Sequence, residues 1–531
     1  MRQEELANLR LVIALKRNDK QLRKKDFDKP SADVSHRFEI SALEPGEYVV
    51  ESRLMDKKNN VLASAREVLS KLPPSRHEVK IDRERRILLV NGEPRFVVGM
   101  WLPPRDRLKE VKDAGYNTVI YLYSGTNFEK GPEGVKNTVK MTSEHQLSAS
   151  FSPPFIEPEY TAGKRTPESF RKHLPIFTQK LRSLREVPLL FWYSFDEPSG
   201  SEMQSVCSEL YDAFKEGNPY IPTLICFAST VKFATRGTTD VLCVDTYWDP
   251  KETQVSSIIE RLEMASRAAK RDHLPFINAL QANLWSGAKF SISPKEQRAQ
   301  TYLVLTKDVA GVCWFSWGNR IYAELWEEMV KLNREINELA PILLTRTPEQ
   351  KVAIKQGRSS IHLLLKEHAG KLYLITANLS RKAADVTFEL PALRPSSAVK
   401  VLFEDRNVQA RGNAFTDKFL GYDTHVYEMV ASGREETYQI ALSTRGRPER
   451  WHPKDFFGRN AASYRGGVID VRGPKNTLAS IAKDINDPKI FSYDPATRTA
   501  VCNAGMTISP DSKLTIGDKD NPKLGETLKG L

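Results

Sequence analysis

From Arg95 to about Ala340 the chain alternates short β-rich apolar runs with amphipathic stretches of helical length, and this alternation restricts the possible folds more than any other feature. Eight such runs occur: RFVVGMW (95 to 101), NTVIYLY (117 to 123), LSASFSP (147 to 153), VPLLFWYSF (187 to 195), PTLICFA (222 to 228), DVLCVDTY (240 to 247), LPFINAL (274 to 280) and GVCWFSW (311 to 317). Between them, stretches such as RDRLKEVKDAG and VSSIIERLEMASRAAKR repeat apolar residues at helical spacing, and Gly115 predicts a helix C-terminal cap. Strand and helix in alternation build a parallel sheet, because parallel neighbours need a crossover connection. Eight units in about 250 residues predict a closed (β/α)8 barrel, the TIM barrel. An open doubly wound sheet is the competitor, but no glycine-rich phosphate loop follows the would-be first strand.

The 531 residues exceed what one hydrophobic core serves, so a multidomain chain is expected. Ahead of the barrel, LRLVIAL, HRFEISA, GEYVVESRLMD and NNVLASAREV alternate between turn residues, which predicts a small β-sandwich over residues 1–78, with fewer strands than a full one. The barrel is assigned residues 79–345. After Pro341, SSIHLLLKE, GKLYLITANLS, DVTFELP, VKVLFED and HVYEMVA return to strand periodicity, a second β-sandwich over 346–431. Residues 432–531 hold short apolar pieces such as GGVIDV and SKLTIG among Gly, Pro, Asp and Asn, an all-β segment compatible with the first coils of a parallel β-helix.

Formal charge is +12, which raises the question of nucleic acid. Residues 1–30 hold nine Lys/Arg against five Asp/Glu and residues 432–531 sixteen against twelve, so the excess is spread and forms no stripe that could follow a phosphate backbone. No nucleic-acid partner is expected. Five cysteines with no CxxC pair, and nine histidines with no HxH or HExxH pattern, predict neither a disulfide framework nor a metal cage, and no cofactor is called for. The first residues carry Glu4 and Glu5 before an apolar run of only Leu11 to Leu15, which is no secretory signal. No apolar stretch approaches the ~20 residues of a membrane span, so a soluble protein is expected, cytoplasmic unless a leader precedes this sequence.

Barrel enzymes carry their reacting groups at the C-terminal ends of the strands. Run four ends in Asp196, Glu197 and Pro198 after an almost unbroken apolar segment, a position where desolvation raises a carboxyl pKa and suits a general acid. The competing reading of Glu197 is a carboxylate capping the next helix. Strand parity sets Asp196 opposite Glu197 and groups Val241, Cys243, Asp245 and Tyr247 on one face of run six. Aromatics gather at the same ends: Trp101, Tyr123, Tyr247, Trp248, Trp285, Trp314 and Trp317. Sugar rings stack on such surfaces while their hydroxyls need polar partners, for which Gln281, as a donor, and Asp196 are candidates; the competing readings are loop structure for Gln281 and helix capping, the favoured one, for Asp196. Trp314 lies within its run and is expected in the core, Trp317 at the site.

The stretch LLFWYSFDEP resembles the fourth-strand motif of glycoside hydrolases of the β-galactosidase and cellulase-like barrel superfamily, and ILLVNGEPRFVVGMW resembles their approach to the first strand. The resemblance covers roughly residues 80 to 345. It implies a glycosidase acting on an oligo- or polysaccharide, with Glu197 as the acid and Asp196 where the clan usually has Asn. ALEPGEYVVESRLMDKKNNVLA is similar to the immunoglobulin-like domains that precede such barrels, and GYDTHVYEM to the closing strand of the sandwich that follows them. The clan's strand-seven Glu has no counterpart: the sequence there reads Leu280, Gln281, Ala282, Asn283, and the next acid is Glu296. Asp245 is then the best candidate for the second carboxylate, and if it is the base an inverting spacing of ~6.5–9.5 Å is expected. The same departure supports a rival, a non-catalytic carbohydrate-binding barrel. A third reading, a polysaccharide lyase built around the C-terminal segment, needs a basic groove and a Tyr, His or Lys base there, and Tyr464 and His452 are too isolated to support it.

Overall fold

The computed structural model describes residues 6–31, 34, 36–121, 131–152, 167–198, 203–228, 235–247, 255–282, 292–317, 321–357 and 360–431, with strand segments at 436–442, 467–471, 491–494, 499–502, 507–508 and 512–517. Residues 1–78 form one compact unit and 79–531 a second.

The first unit holds a four-stranded antiparallel sheet of β1 (Arg10–Arg17), β2 (Lys20–Asp28), β3 (Gly46–Met55) and β4 (Val61–Lys71), in the order β2-β1-β3-β4. Val12, Ala14, Leu15 and Tyr48 are its buried residues along β1 and β3. Among the described residues this unit has no second sheet. HRFEISA, expected as a strand, is not one: His36 packs edge-on against Phe27 and Phe38, ring centroids 5.9 and 4.7 Å away. The second strand is KQLRKKDFD instead, an edge strand so charged and exposed that it shows no apolar alternation.

The second unit opens with a small antiparallel sheet of β5 (Val79–Asp82), β6 (Ile87–Val90) and β7 (Glu93–Arg95). Then comes the barrel: β8 (Val97–Trp101), β9 (Thr118–Tyr121), β10 (Ser148–Phe151), β11 (Leu189–Asp196), β12 (Thr223–Phe227), β13 (Val241–Thr246), β14 (Phe276–Gln281) and β15 (Gly311–Phe315). Each pairs in parallel with the next, and β15 pairs with β8 to close the ring. Strands covered on both faces need apolar residues at every position, which is why they read as continuous runs; β8, β12, β13 and β14 are buried throughout.

The crossovers carry α1 (Leu108–Asp113), α2 (Gly131–Glu144), α3 (Pro167–Arg182), α4 (Met203–Gly217), α5 (Val255–Asp272), α6 (Pro294–Leu305) and α7 (Ala323–Leu343). Among the described residues no helix separates β12 from β13. Gly115 follows α1 at φ 87, its N–H bonding Lys112 O, so the expected cap is present. Gly99 on β8 is needed for another reason: a Cβ there would lie 2.5 Å from Cys313 Sγ on the neighbouring strand. None of the described helices is long and apolar enough to cross a membrane.

Beyond the barrel, two antiparallel sheets enclose a core of their own. One contains β16 (Ala353–Gln356), β19 (Ala384–Glu389) and β22 (Ala414–Phe419). The other contains β17 (Ile361–His368), β18 (Lys371–Asn378), β20 (Ala398–Leu402), β21 (Arg406–Gln409) and β23 (Thr424–Val430). Phe388, Phe415 and Phe419 from the first meet Leu374, Val401 and Tyr427 from the second. This sandwich is tied to the barrel by Lys366 on β17, whose buried ammonium lies 2.6 Å from Asp308 at the foot of β15 and donates to Thr345 O at 2.7 Å; Asp308 also pairs with Arg86.

In residues 432–531 the described strands are β24 (Glu436–Leu442), β25 (Gly467–Val471), β26 (Phe491–Asp494), β27 (Thr499–Cys502), β28 (Thr507–Ile508) and β29 (Ser512–Gly517). The parallel β-helix expectation meets only one parallel pair among them, β24 with β29. The other pairs are antiparallel.

Candidate active site

The strand ends on the β11, β12 and β13 side bring three carboxylates together. β11 does not run regularly into this mouth. Its register against β12 slips between Tyr193 and Phe195, with Ser194 as the extra residue and its hydroxyl bonded to Leu224 O at 3.0 Å. In a regular strand residues three apart face opposite sides; the bulge puts them on the same side. Tyr193 Oη therefore donates to Asp196 Oδ1 at 2.5 Å. Tyr193 is fully buried, and burial followed by the Asp196 charge drives its phenol far above the usual range, so the hydroxyl stays a donor.

Glu197 then leaves the strand with φ 48, its N–H held by Cys226 O at 2.8 Å. A left-handed turn at a non-glycine residue is strained and needs support from its surroundings. Glu197 and Asp196 both act on Asp245.

Asp245 lies on β13 with Cys243 below and Tyr247 beyond it, as expected. It is 8% exposed. Burial, then the charges of Glu197 and Asp196, push its carboxyl up to about 7. Its Oδ1 has no hydrogen-bond partner among the described residues. Desolvation was expected at Glu197; Glu197 is exposed, and the desolvated carboxyl is Asp245.

Below the carboxylates, Cys226 and Cys243 are register partners, and the contact with Cys243, then burial, raises the Cys226 thiol well above its usual range. Such thiols are inert packing groups. Tyr247 is half-buried; burial, then the Asp245 charge, raises its phenol, and its ring centroid lies 6.0 Å from that of Phe315. Trp101 is buried at the end of β8, edge-on to Tyr193 at 5.1 Å and Phe315 at 5.5 Å. Tyr193, Trp101, Phe315 and Tyr247 so form a continuous aromatic floor. Gln281 is buried at the end of β14, register partner of Phe315.

Trp317 is placed differently. Its N–H bonds Trp101 O at 3.0 Å, but its ring packs on Trp326 of α7 at 4.9 Å and carries the Arg107 guanidinium 5.5 Å from its centroid. These two neighbours cover part of the ring, which is half-buried. Trp314 is fully buried against Tyr116, as expected of a core residue. Tyr123, Trp248, Trp285, His452 and Tyr464 lie outside the described residues. Glu296, the next acid after β14, is engaged in a capping box at the start of α6: Ser293 Oγ accepts the Glu296 N–H at 3.2 Å and Glu296 Oε2 accepts the Ser293 N–H at 2.9 Å. Sequence reasoning missed Tyr193 and Phe315, which read as two more apolar positions of their strands. Among the described residues no group of three or more His, Cys, Asp or Glu could hold a metal ion.

No family model and no curated protein matches the chain in sequence. Among solved structures it is similar to one described as a glycoside hydrolase, at 12% identity and a TM-score of 0.49 over 67% of this chain and 98% of that one. It is similar to a glycoside hydrolase of family 5 from Bacteroides vulgatus at 13% identity and 0.49, over 67% and 94% of the two chains. A β-glucuronidase from Ruminococcus gnavus gives 14% identity and 0.35, over 58% and 56%. The barrel itself rests on the closed parallel strand pairing described above.

Proposed function

We propose that the protein is a glycosidase that hydrolyses an O-glycosidic bond of an oligo- or polysaccharide at the mouth of the barrel, with Glu197 and Asp245 as its acid pair. The observation that carries this reading is the burial of Asp245 among neighbouring carboxylates: burial, then the charges of Glu197 and Asp196, raise its carboxyl to about 7, so it is partly protonated at neutral pH near the exposed Glu197. A proton shared by two carboxyls belongs to the pair. Glu197 presents it to the leaving oxygen, and the two negative charges left behind favour the oxocarbenium-like transition state. The emptied pair then takes a proton back from the attacking water, restoring its charge. Asp196, fixed by Tyr193, accepts from a sugar hydroxyl and Gln281 donates to one, while the half-buried Tyr247 meets the apolar face of the ring and Trp101 backs the aromatic floor. The chemistry needs no cofactor. In the same reading the N-terminal sheet is part of an immunoglobulin-like module.

One observation favours a second reading, a barrel that binds glycan without cleaving it: β14 ends in Gln281, and Glu296 is held in a helix cap. Release of reducing ends from a panel of plant, algal and bacterial glycans separates the two. Turnover by the wild-type protein that is lost in Glu197→Gln supports hydrolysis; glycan binding with no product released supports the second reading and overturns the first.

A further inference from the structure

We propose that the end of the barrel opposite the mouth carries a second site, a pocket for a small carboxylate with an apolar body. The cavity measures about 510 Å³, large enough for a small molecule. It lies where Arg95 and Phe96 lead into β8 and where α7 ends at Pro341 and Leu344, with Arg85 of the β5–β6 turn and His368 at the tip of the β17–β18 hairpin completing it. These are N-terminal strand ends, so the pocket is remote from Glu197.

Its charge is one-sided. Two arginines and a histidine line it, and no acidic side chain does. Among the described residues neither the Arg95 guanidinium nor the His368 imidazole has a hydrogen-bond or ion-pair partner. Arg85 is held through Nε by Asp82 Oδ2 at 2.7 Å, which leaves its two terminal nitrogens unengaged. At the end of α7, Ala340 O accepts from Leu344 N–H and Ile342 O from Thr345 N–H, and among the described residues neither arginine bonds a carbonyl there. A guanidinium fork presents two parallel N–H groups that match a planar carboxylate. Phe96, Pro341 and Leu344 form the apolar wall, which gives the rest of the ligand a surface to cover.

Benzoate is the probe, titrated into the full chain by calorimetry, with inorganic phosphate as an anion without the body and benzyl alcohol as the body without the anion. Saturable one-to-one benzoate binding is expected, weaker by about tenfold or more in Arg95→Ala and by less in His368→Asn, and unchanged in Arg346→Ala, an exposed arginine outside the pocket. Melting temperatures of the three variants show whether any loss of binding is a loss of fold, and Arg95→Gln repeats the test with less volume removed. Absence of saturable benzoate binding, binding indifferent to both Arg95 variants, or phosphate or benzyl alcohol binding as tightly as benzoate each overturns the proposal. Glycan cleavage at the mouth is measured separately and bears on neither outcome.

Discussion

Tyr193 and Asp196, three residues apart on one strand, share a 2.5 Å hydrogen bond because a bulge at Ser194 turns both into the barrel mouth. Asp196 is thereby held near Asp245, whose own carboxyl is raised to about 7 by burial, then by the charges of Glu197 and Asp196.

Removing the hydroxyl in Tyr193→Phe leaves Asp196 unanchored while the ring still fills its place. A single hydrogen bond to a charged group contributes about 1.5–3 kcal/mol, so turnover on a glycan substrate should fall about tenfold to a hundredfold, with the circular dichroism spectrum unchanged. Equal turnover in both proteins would remove Tyr193 from the site.

The raised carboxyl predicts a direction for pH. Asp245 binds its proton more tightly in the folded state, near 7, than in the unfolded chain, near 3.9, so the fold loses stability as pH rises through that window and gains nothing below it. Asp245→Asn abolishes this loss. Its melting temperature relative to wild type should therefore climb from pH 4 to pH 8, by an amount equivalent to a few kcal/mol at most. Activity should show an alkaline limb near pH 7 that the variant lacks along with most of its turnover.

Gly99 and Cys313 form a tight contact between β8 and β15. Gly99→Ala should cost about 1–3 kcal/mol in urea unfolding, because the new methyl meets the thiol. Cys313→Ala in the same chain removes the sulfur and should recover part of that cost. Simple additivity of the two changes would show that the contact is not the cause.

Lys366 is buried against Asp308. Lys366→Met leaves that carboxylate with Arg86 alone and should destabilise the chain by about 3–5 kcal/mol, read from denaturant midpoints. Lys109→Met, an exposed partner of Asp113, should change stability by less than about 1 kcal/mol.

Trp101 and Trp317 look alike in the sequence, each ending an apolar run. Trp317→Ala should alter glycan affinity less than Tyr247→Ala, because Trp326 and Arg107 already cover its ring. Affinity electrophoresis in a gel containing the active glycan measures both.

The barrel was legible in the sequence because burial on both faces leaves a strand little choice of residue: RFVVGMW, VLCVDTY and FINALQ carry their apolar character wherever the chain goes. The positions of Asp196, Glu197 and Asp245 at strand ends followed from the same pattern. The N-terminal strand KQLRKKDFD was not legible, since an exposed edge strand needs no apolar face. Which carboxyl is desolvated, and which side chains meet, was decided by the tertiary structure alone. Parity along one strand assumes a regular register, and register is a property of two strands; the bulge against β12 brought Asp196 and Tyr193 to one side, and the burial of Asp245 near the charges of Glu197 and Asp196 arises only once the strands are assembled in the barrel.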